Sequence, residues 1–340
     1  MSRLSAMSDF PELRVGPPGH QSGLLLGRAF QERIRRALEK SKLVRRRVDL
    51  DRKEPGVLDS VTAKAEGAFP DYLAELRGVS EGAEVDLRRL LALNFMHLPY
   101  RESCSTIVLR RDDRPPSFIL GHNEDHDPDI GRDAYLVTYD LGGGRWMTAH
   151  CHAGMVPGIS FACNSHGLAV ACNSLPDPTG ALGMPRTLVG RSVMESSTVD
   201  EACRRAAEHA PRSGGVSYNV LSAAEGRAVN IETTADALAI TEIGDRYYRT
   251  NHYISTELVH LPKPPPESTS ESRYAAGIDL AATAEPTIDG AWSVLSAPGV
   301  HLPTTADFVT TATVVFASAP GLAFALRNPE GTTVVQKQVI

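Results

Sequence analysis

The sequence predicts an α+β protein, on three observations. The first hundred of its 340 residues carry mostly helical periodicity, residues 104 to about 175 switch to the two-residue alternation of strands, and later blocks of helix and strand follow in turn. Within residues 21 to 48, Leu24, Leu25, Ala29, Phe30, Ile34, Ala37 and Leu38 fall near 3.6-residue spacing, which predicts one helix ending in the basic run Arg45-Arg46-Arg47. Positive charge suits a helix C-terminus. Further helices are expected over Ser60 to Glu66, Phe69 to Arg77 and Asp86 to Met96. The chain therefore divides into a mostly helical segment, residues 1–103, and a core, residues 104–340.

The core opens on Cys104-Ser105-Thr106-Ile107-Val108-Leu109, an alternating run. The cluster Asp112-Asp113-Arg114-Pro115-Pro116 supplies a turn, and Ser117-Phe118-Ile119-Leu120 returns as a strand ending in Gly121-His122-Asn123-Glu124-Asp125. Antiparallel pairing carries that end back toward Cys104. Asn123 and Asp125 share one face and His122 and Glu124 the other, so a thiol, an amide and a carboxylate can meet there. A second hairpin follows, Gly158 to Cys163 and Leu168 to Leu175, turning at Asn164-Ser165-His166-Gly167. Helices are expected over 186–195 and 199–209, the second opened by Thr198-Val199-Asp200-Glu201 as a capping box. Strands resume from Ser217 to Arg249. Pro262-Lys263-Pro264-Pro265-Pro266 has the composition of an exposed loop or lid, because proline withholds donors and fixes an extended backbone. A short helix from Arg273 to Ala282 and strands Ala312 to Ala317 and Gly321 to Arg327 complete a helix-strand-strand-helix content.

Composition narrows the class. With 42% hydrophobic residues the chain can bury a large core, and a formal net charge of −6 argues against nucleic-acid partners. Met1 to Phe10 contain no apolar stretch of signal-peptide type, and no 18-residue apolar run occurs, so the expected location is cytoplasmic, with no membrane partner. Five cysteines, at 104, 151, 163, 172 and 203, are an odd number without disulfide-scaffold density and are expected to be reduced thiols. His122, Asp125, His126, Asp127, His150 and His152 invite a metal reading, yet their spacing matches no recognised ligand set, and the sequence calls for no metal or cofactor.

The ordered motifs resemble the penicillin acyltransferase-like branch of the N-terminal nucleophile hydrolases, from about Leu93 onward. They are Cys104-Ser105, Gly121-His122-Asn123-Glu124-Asp125, Asn164-Ser165-His166-Gly167-Leu168 followed by Asn173, Gly183-Met184-Pro185-Arg186, and Thr250-Asn251-His252. The resemblance implies a four-layer αββα sandwich. It also implies that Cys104 is the nucleophile and acyl carrier and that Asp125 orients its surroundings. Asn251 and Asn173 would donate to the oxyanion of a tetrahedral intermediate.

Family members usually carry glycine before the cysteine and free its α-amine by autocleavage, after which the amine, with a pKa of about 7.7–8.0, serves as base. Here Ser103 precedes Cys104, so the segment 1–103 is propeptide-like but its cleavage at Ser103-Cys104 is open. Replacement bases or supporting groups are Glu102, Asn123, His126, His152 and His252, with histidine preferred for its pKa of about 6.5. The family's arginine before a C-terminal Ala-Thr strand is replaced by Thr310-Thr311-Ala312-Thr313.

The expected function is amide formation by a cysteine acyltransferase, from an acyl thioester of coenzyme A or a carrier protein and a small amine, in secondary metabolism such as antibiotic biosynthesis. An amidohydrolase of the same fold and a non-catalytic binding descendant are the alternatives.

Overall fold

A computed structural model describes residues 10–96, 103–177, 182–261, 263, 268–303, 308–328 and 332–339. Strand β1 (Glu12–Val15) precedes six helices, α1 (His20–Ala29), α2 (Gln31–Lys40), α3 (Lys42–Lys53), α4 (Val57–Ala68), α5 (Pro70–Ala83) and α6 (Leu87–Phe95). The core begins with β2 (Ser103–Arg111) and β3 (Ser117–His126), then the short α7 (Pro128–Gly131) and strands β4 (Tyr135–Gly142), β5 (Arg145–Cys151), β6 (Phe161–Asn164) and β7 (Leu168–Leu175). A two-residue strand β8 (Met184–Pro185) leads into α8 (Arg186–Met194) and α9 (Val199–Ala207). Next come β9 (Arg212–Ser213), β10 (Gly215–Ser222), β11 (Arg227–Thr233), β12 (Leu238–Glu242) and β13 (Arg246–Arg249). The described chain closes with α10 (Ser270–Thr283), α11 (Ile288–Leu295), β14 (Val309–Ala317), β15 (Ala323–Arg327) and β16 (Thr333–Gln338).

The strands form an eight-stranded sheet in the order β1-β4-β5-β6-β7-β10-β11-β12 and a six-stranded sheet in the order β13-β2-β3-β14-β15-β16. Three apolar layers fix how these stack. Val108, Leu120 and Phe316 of the smaller sheet meet Phe161, Ala169 and Leu221 of the larger one between the sheets. On the far side of the smaller sheet, Ile107, Leu109 and Ile119 pack on Trp292 and Leu295 of α11. The outer face of the larger sheet, with Val137, Tyr139 and Met147, is covered by α1 to α6 together with α8 and α9. The result is the four-layer αββα sandwich. Strand alternation accounts for it, since consecutive residues of β2 enter opposite layers.

Residues 21 to 48 are three helices where periodicity alone predicts one. Phe30 leaves the helical region at φ −114°, ψ 22° between α1 and α2. Ser41 is extended and its hydroxyl accepts from the backbone N–H groups of Leu43 and Val44, capping α3 afresh. The apolar stripe continues across both breaks because all three helices bury residues, among them Leu26, Ile34 and Val44, in the same apolar core. The proline-rich stretch expected as a lid lies mostly outside the described residues. Among the described residues no helix is long and apolar enough to cross a membrane.

Helices α1 and α5 cross at close range because each carries two glycines four residues apart, Gly23 and Gly27 against Gly78 and Gly82. A Cβ at Gly78 would sit 2.1 Å from the His20 carbonyl oxygen, and one at Gly23 2.0 Å from that of Glu75. Gly67 of α4, in contrast, faces open space. Gly78→Ala is therefore expected to lower stability by about 1–3 kcal/mol through backbone displacement, whereas Gly67→Ala should raise it by roughly 0.5–1 kcal/mol. Urea midpoints of the two variants should move in opposite directions.

Candidate active site

Strand β2 pairs with β3 so that Cys104 lies opposite Glu124, Ser105 opposite Asn123 and Thr106 opposite His122. Directly opposed residues of an antiparallel pair share a face. Cys104, Thr106, His122 and Glu124 therefore stand on the face that carries Val108 and Leu120 into the layer between the sheets. Asn123 and Asp125 stand on the other face, toward α10 and α11. The carboxylate near the thiol is thus Glu124 and not Asp125, and its companion is an imidazole and not the Asn123 amide.

On the inner face the Cys104 sulfur, a ring nitrogen of His122 and a carboxylate oxygen of Glu124 all lie within 4.8 Å of one another. All three residues are buried. Glu124 holds two histidines, with Oε2 3.3 Å from His122 Nε2 and Oε1 3.0 Å from His152 Nε2. Burial pushes the Glu124 carboxyl up, but the hydrogen bonds from His122 and His152 outweigh it and hold the group well below the usual carboxylate range. Glu124 is therefore a fixed negative charge beside the imidazole. The Thr106 hydroxyl, 2.8 Å from His122 Nδ1, gives its single proton to Asn173 Oδ1 at 2.7 Å and so accepts from Nδ1–H. With Nδ1 used on Thr106, His122 Nε2 faces Glu124 Oε2, so a ring carrying a proton on both nitrogens donates to the carboxylate through Nε2.

Asn173 is fixed by its carbonyl end, which also accepts from Asn219 Nδ2 at 2.9 Å. Its Nδ2 is buried with no hydrogen-bond partner among the described residues. A buried, unused donor beside the Thr106 face is what an oxyanion requires. His126 and His150 complete the inner group, with their ring centroids 4.2 Å and 4.9 Å from that of His152. Burial holds His150 well below its ordinary pKa, so it packs as a neutral ring on Phe161.

The outer face is a clamp built on Arg273 of α10, a residue that pattern reading does not single out. Its Nη1 donates to the Cys104 carbonyl at 2.6 Å and to Ser105 Oγ at 2.9 Å, and its Nη2 donates to Asn251 Oδ1 at 2.7 Å. Asn251 Oδ1 also accepts the Cys104 backbone N–H at 2.8 Å, while its Nδ2 donates to the Ser174 carbonyl. Asn251 thus holds the Cys104 backbone. Asp125 accepts from Thr310 Oγ1 at 2.6 Å and stands 3.9 Å from Arg273. Burial raises its pKa to about 7 against the opposing pull of Arg273 and Thr310. Asn123 uses its amide on the Leu295 carbonyl and its carbonyl on Thr313, a bracing role.

His252 bonds Ser270 on this outer side, with its pKa lowered to about 4 chiefly by burial, and does not join the thiol's cluster. Glu102 lies outside the described residues, and Ser103 is the first residue of β2.

The raised pKa of Asp125 has a signed consequence for stability. The folded state keeps a proton on Asp125 up to about pH 7, whereas the unfolded carboxyl releases it near 3.8. Its stabilising contribution is therefore full below the lower value and is lost as pH rises through the upper one. The stability of Asp125→Asn relative to the parent should increase between about pH 5 and about pH 8. Parallel denaturation curves for the two proteins across that range would refute the assignment.

Residues 109–295, more than half of the chain and starting in β2 just past Cys104, match the family described as acyl-coenzyme A:6-aminopenicillanic acid acyl-transferase. The beta-alanyl-dopamine/carcinine hydrolase of Drosophila melanogaster is 27% identical over 221 residues, which cover 57% of this chain and 56% of that protein. The match thus spans little more than half of that relative's length. Among solved structures, a variant of conjugated bile acid hydrolase from Clostridium perfringens aligns with a TM-score of 0.47 at 13% identity, covering 66% of this chain and 89% of that one. Penicillin V acylase from Agrobacterium tumefaciens aligns with a TM-score of 0.41 at 13% identity, over 66% and 82% of the two chains. The chain belongs to the acyl-coenzyme A:6-aminopenicillanic acid acyl-transferase family.

Proposed function

We propose that this protein is a cysteine-dependent acyltransferase that joins an acyl group, delivered as a thioester of coenzyme A or of a carrier protein, to a small amine, and that it works as an uncut chain. The observation that carries this reading is the buried Cys104–His122–Glu124 cluster, which supplies a thiol with a base and that base with a counter-charge. A free α-amine is then unnecessary. In the uncut chain the Cys104 nitrogen is an amide committed to Asn251.

In the proposed reaction His122 takes the Cys104 proton, and Glu124 stabilises the imidazolium. The thiolate attacks the acyl carbonyl, and the oxyanion accepts from Asn173 Nδ2. Collapse expels the donor thiol, which recovers the proton from His122 and leaves S-acyl-Cys104. The amine then attacks with His122 taking its proton, and the amide leaves as Cys104 re-forms. Arg273 and Asn251 hold the Cys104 backbone still during both steps, and His152 keeps Glu124 in place. A thiol that must stay reduced suits the cytoplasm; none of the five cysteines is in a disulfide.

The second reading, an amidohydrolase, differs only in that water takes the amine's place, and the hydrolase named among the relatives favours it. Intact mass spectrometry under denaturing conditions, after incubation with an acyl-coenzyme A thioester, tests the shared core of both. The expected result is a single uncut chain that gains one acyl mass, and Cys104→Ala should not gain it. Fragments split between Ser103 and Cys104 would sink the uncut reading, and full function in Cys104→Ala would identify a binding descendant. His122→Gln should slow acylation roughly 10²–10⁴-fold, and Asn173→Ala about 10²–10³-fold. Adding a small amine then separates transferase from hydrolase, since only the former forms the amide faster than the free acid.

A further inference from the structure

We propose that Cys104, His122 and Glu124 also form a binding site for a divalent transition metal, Zn²⁺ foremost, and that occupancy blocks the thiol reversibly. The inference rests on the placement of three donor atoms and stands or falls apart from the acyl-transfer reading. Thiolate, imidazole and carboxylate are the donor types of zinc sites, and three protein ligands leave a fourth position open. Hard cations such as Mg²⁺ and Ca²⁺ would not choose this sulfur and nitrogen set.

The distances suit the ion. Bonds of about 2.0–2.3 Å in a tetrahedron separate neighbouring ligand atoms by roughly 3.3–3.7 Å. His122 Nε2 and Glu124 Oε2 are already 3.3 Å apart, and all three donors lie within 4.8 Å of one another, so small side-chain rotations complete the set. The outer partners are of the kind metal ligands need, because Thr106 fixes His122 through Nδ1 and His152 holds the second oxygen of Glu124. Charge balances as well. Cys104 releases one proton to solvent on binding, and the thiolate and carboxylate together neutralise a doubly charged ion in a buried place, with no change of oxidation state.

Cys104 lies on a different strand from the histidines, so their spacing in sequence does not reveal the site.

The test uses the full-length reduced protein, freed of metal by a chelator and titrated with Co²⁺ as a coloured substitute for Zn²⁺. The expected result is one equivalent bound, with a thiolate-to-cobalt charge-transfer band and intense tetrahedral d–d bands, both abolished by Zn²⁺. Cys104→Ala should lose the charge-transfer band and His122→Gln should weaken binding at least tenfold, with far-ultraviolet circular dichroism confirming that both are folded. Independently of any variant, one equivalent of Zn²⁺ should slow iodoacetamide labelling of Cys104 in the parent protein, and a chelator should restore it. A folded parent that shows no thiolate-to-cobalt band, a band that survives in Cys104→Ala, or labelling of Cys104 indifferent to Zn²⁺ would each overturn the proposal. Metal-free protein that acylates but binds no Co²⁺ removes the site and leaves the enzyme; protein that binds Co²⁺ at Cys104 but never acylates does the reverse.

Discussion

The register of β2 on β3 decides which side chains surround the thiol. Side chains alternate with a period of two, so a slip of one residue would turn Cys104 away from the layer between the sheets and place Ser103 or Ser105 there instead. Several features hold that register. Val108 and Leu120 belong to the inner apolar layer, and Ile107 and Ile119 to the outer one, so a slipped pairing would mispack both layers at once. Gly121 adds a steric condition, since a Cβ there would stand 2.8 Å from Leu295 Cδ1, and its absence lets α11 close on the sheet. On the far side, β14 pairs with β3 through an irregularity between Thr310 and Ala312. That irregularity lets Thr310 reach Asp125 while Thr311 reaches the Glu124 carbonyl.

The two faces of this hairpin divide the site's requirements. A thiol proposed as nucleophile needs a proton acceptor close by, and the inner face gathers imidazoles around a buried carboxylate beside it. It also needs a rigid backbone, and the outer face answers with Arg273, whose planar guanidinium spans the Cys104 carbonyl, Ser105 and Asn251 at once. Asp125 contributes less as an ion-pair partner than its position suggests. It stands 3.9 Å from Arg273, and burial raises its pKa to about 7, which disfavours the charged form. The guanidinium is satisfied mainly by neutral oxygens.

Long periodic segments were legible in the sequence, and so was the Cys104 hairpin, because both depend on local patterning. Glu124 and His122 were legible only as a pair sharing a face. Which pair meets the thiol depends on the pairing across the turn, and the turn cluster Asp112 to Pro116 does not by itself state its register. The divided helix over 21 to 48 escaped for a related reason: a Ser41 cap inside a continuous apolar stripe reads as a helical serine until the backbone is seen to turn. Arg273 was illegible altogether. It is one arginine near the start of an ordinary helix, and its burial follows from a contact with residues 169 positions earlier in the chain. Asn173 and Asn251 stand beside the strand that carries Cys104, but their side-chain carbonyls meet different groups on it. Asn173 leaves a donor unused and Asn251 spends its carbonyl on the Cys104 backbone.

The helical segment ahead of Cys104 is bound into this architecture rather than laid over it. Strand β1 extends the larger sheet by pairing parallel to β4. Asn94 of α6 donates to the Gly154 carbonyl and accepts from Val156 N–H in the loop after β5. From α5, Tyr72 and Glu75 enter a buried network with Tyr139 of β4, Arg191 of α8 and Glu195, in which the Arg191 guanidinium lies 3.8 Å from the Tyr139 ring centroid. Removing the segment would leave that arginine without Glu75 and Tyr72 and would expose the outer face of an eight-stranded sheet, a penalty that apolar burial of this extent makes large. A break between Ser103 and Cys104 would consequently leave both pieces in one particle, and the catalytic need for such a break rests on the base alone. In the proposed reaction His122, within 4.8 Å of the sulfur, would meet that need inside the intact chain.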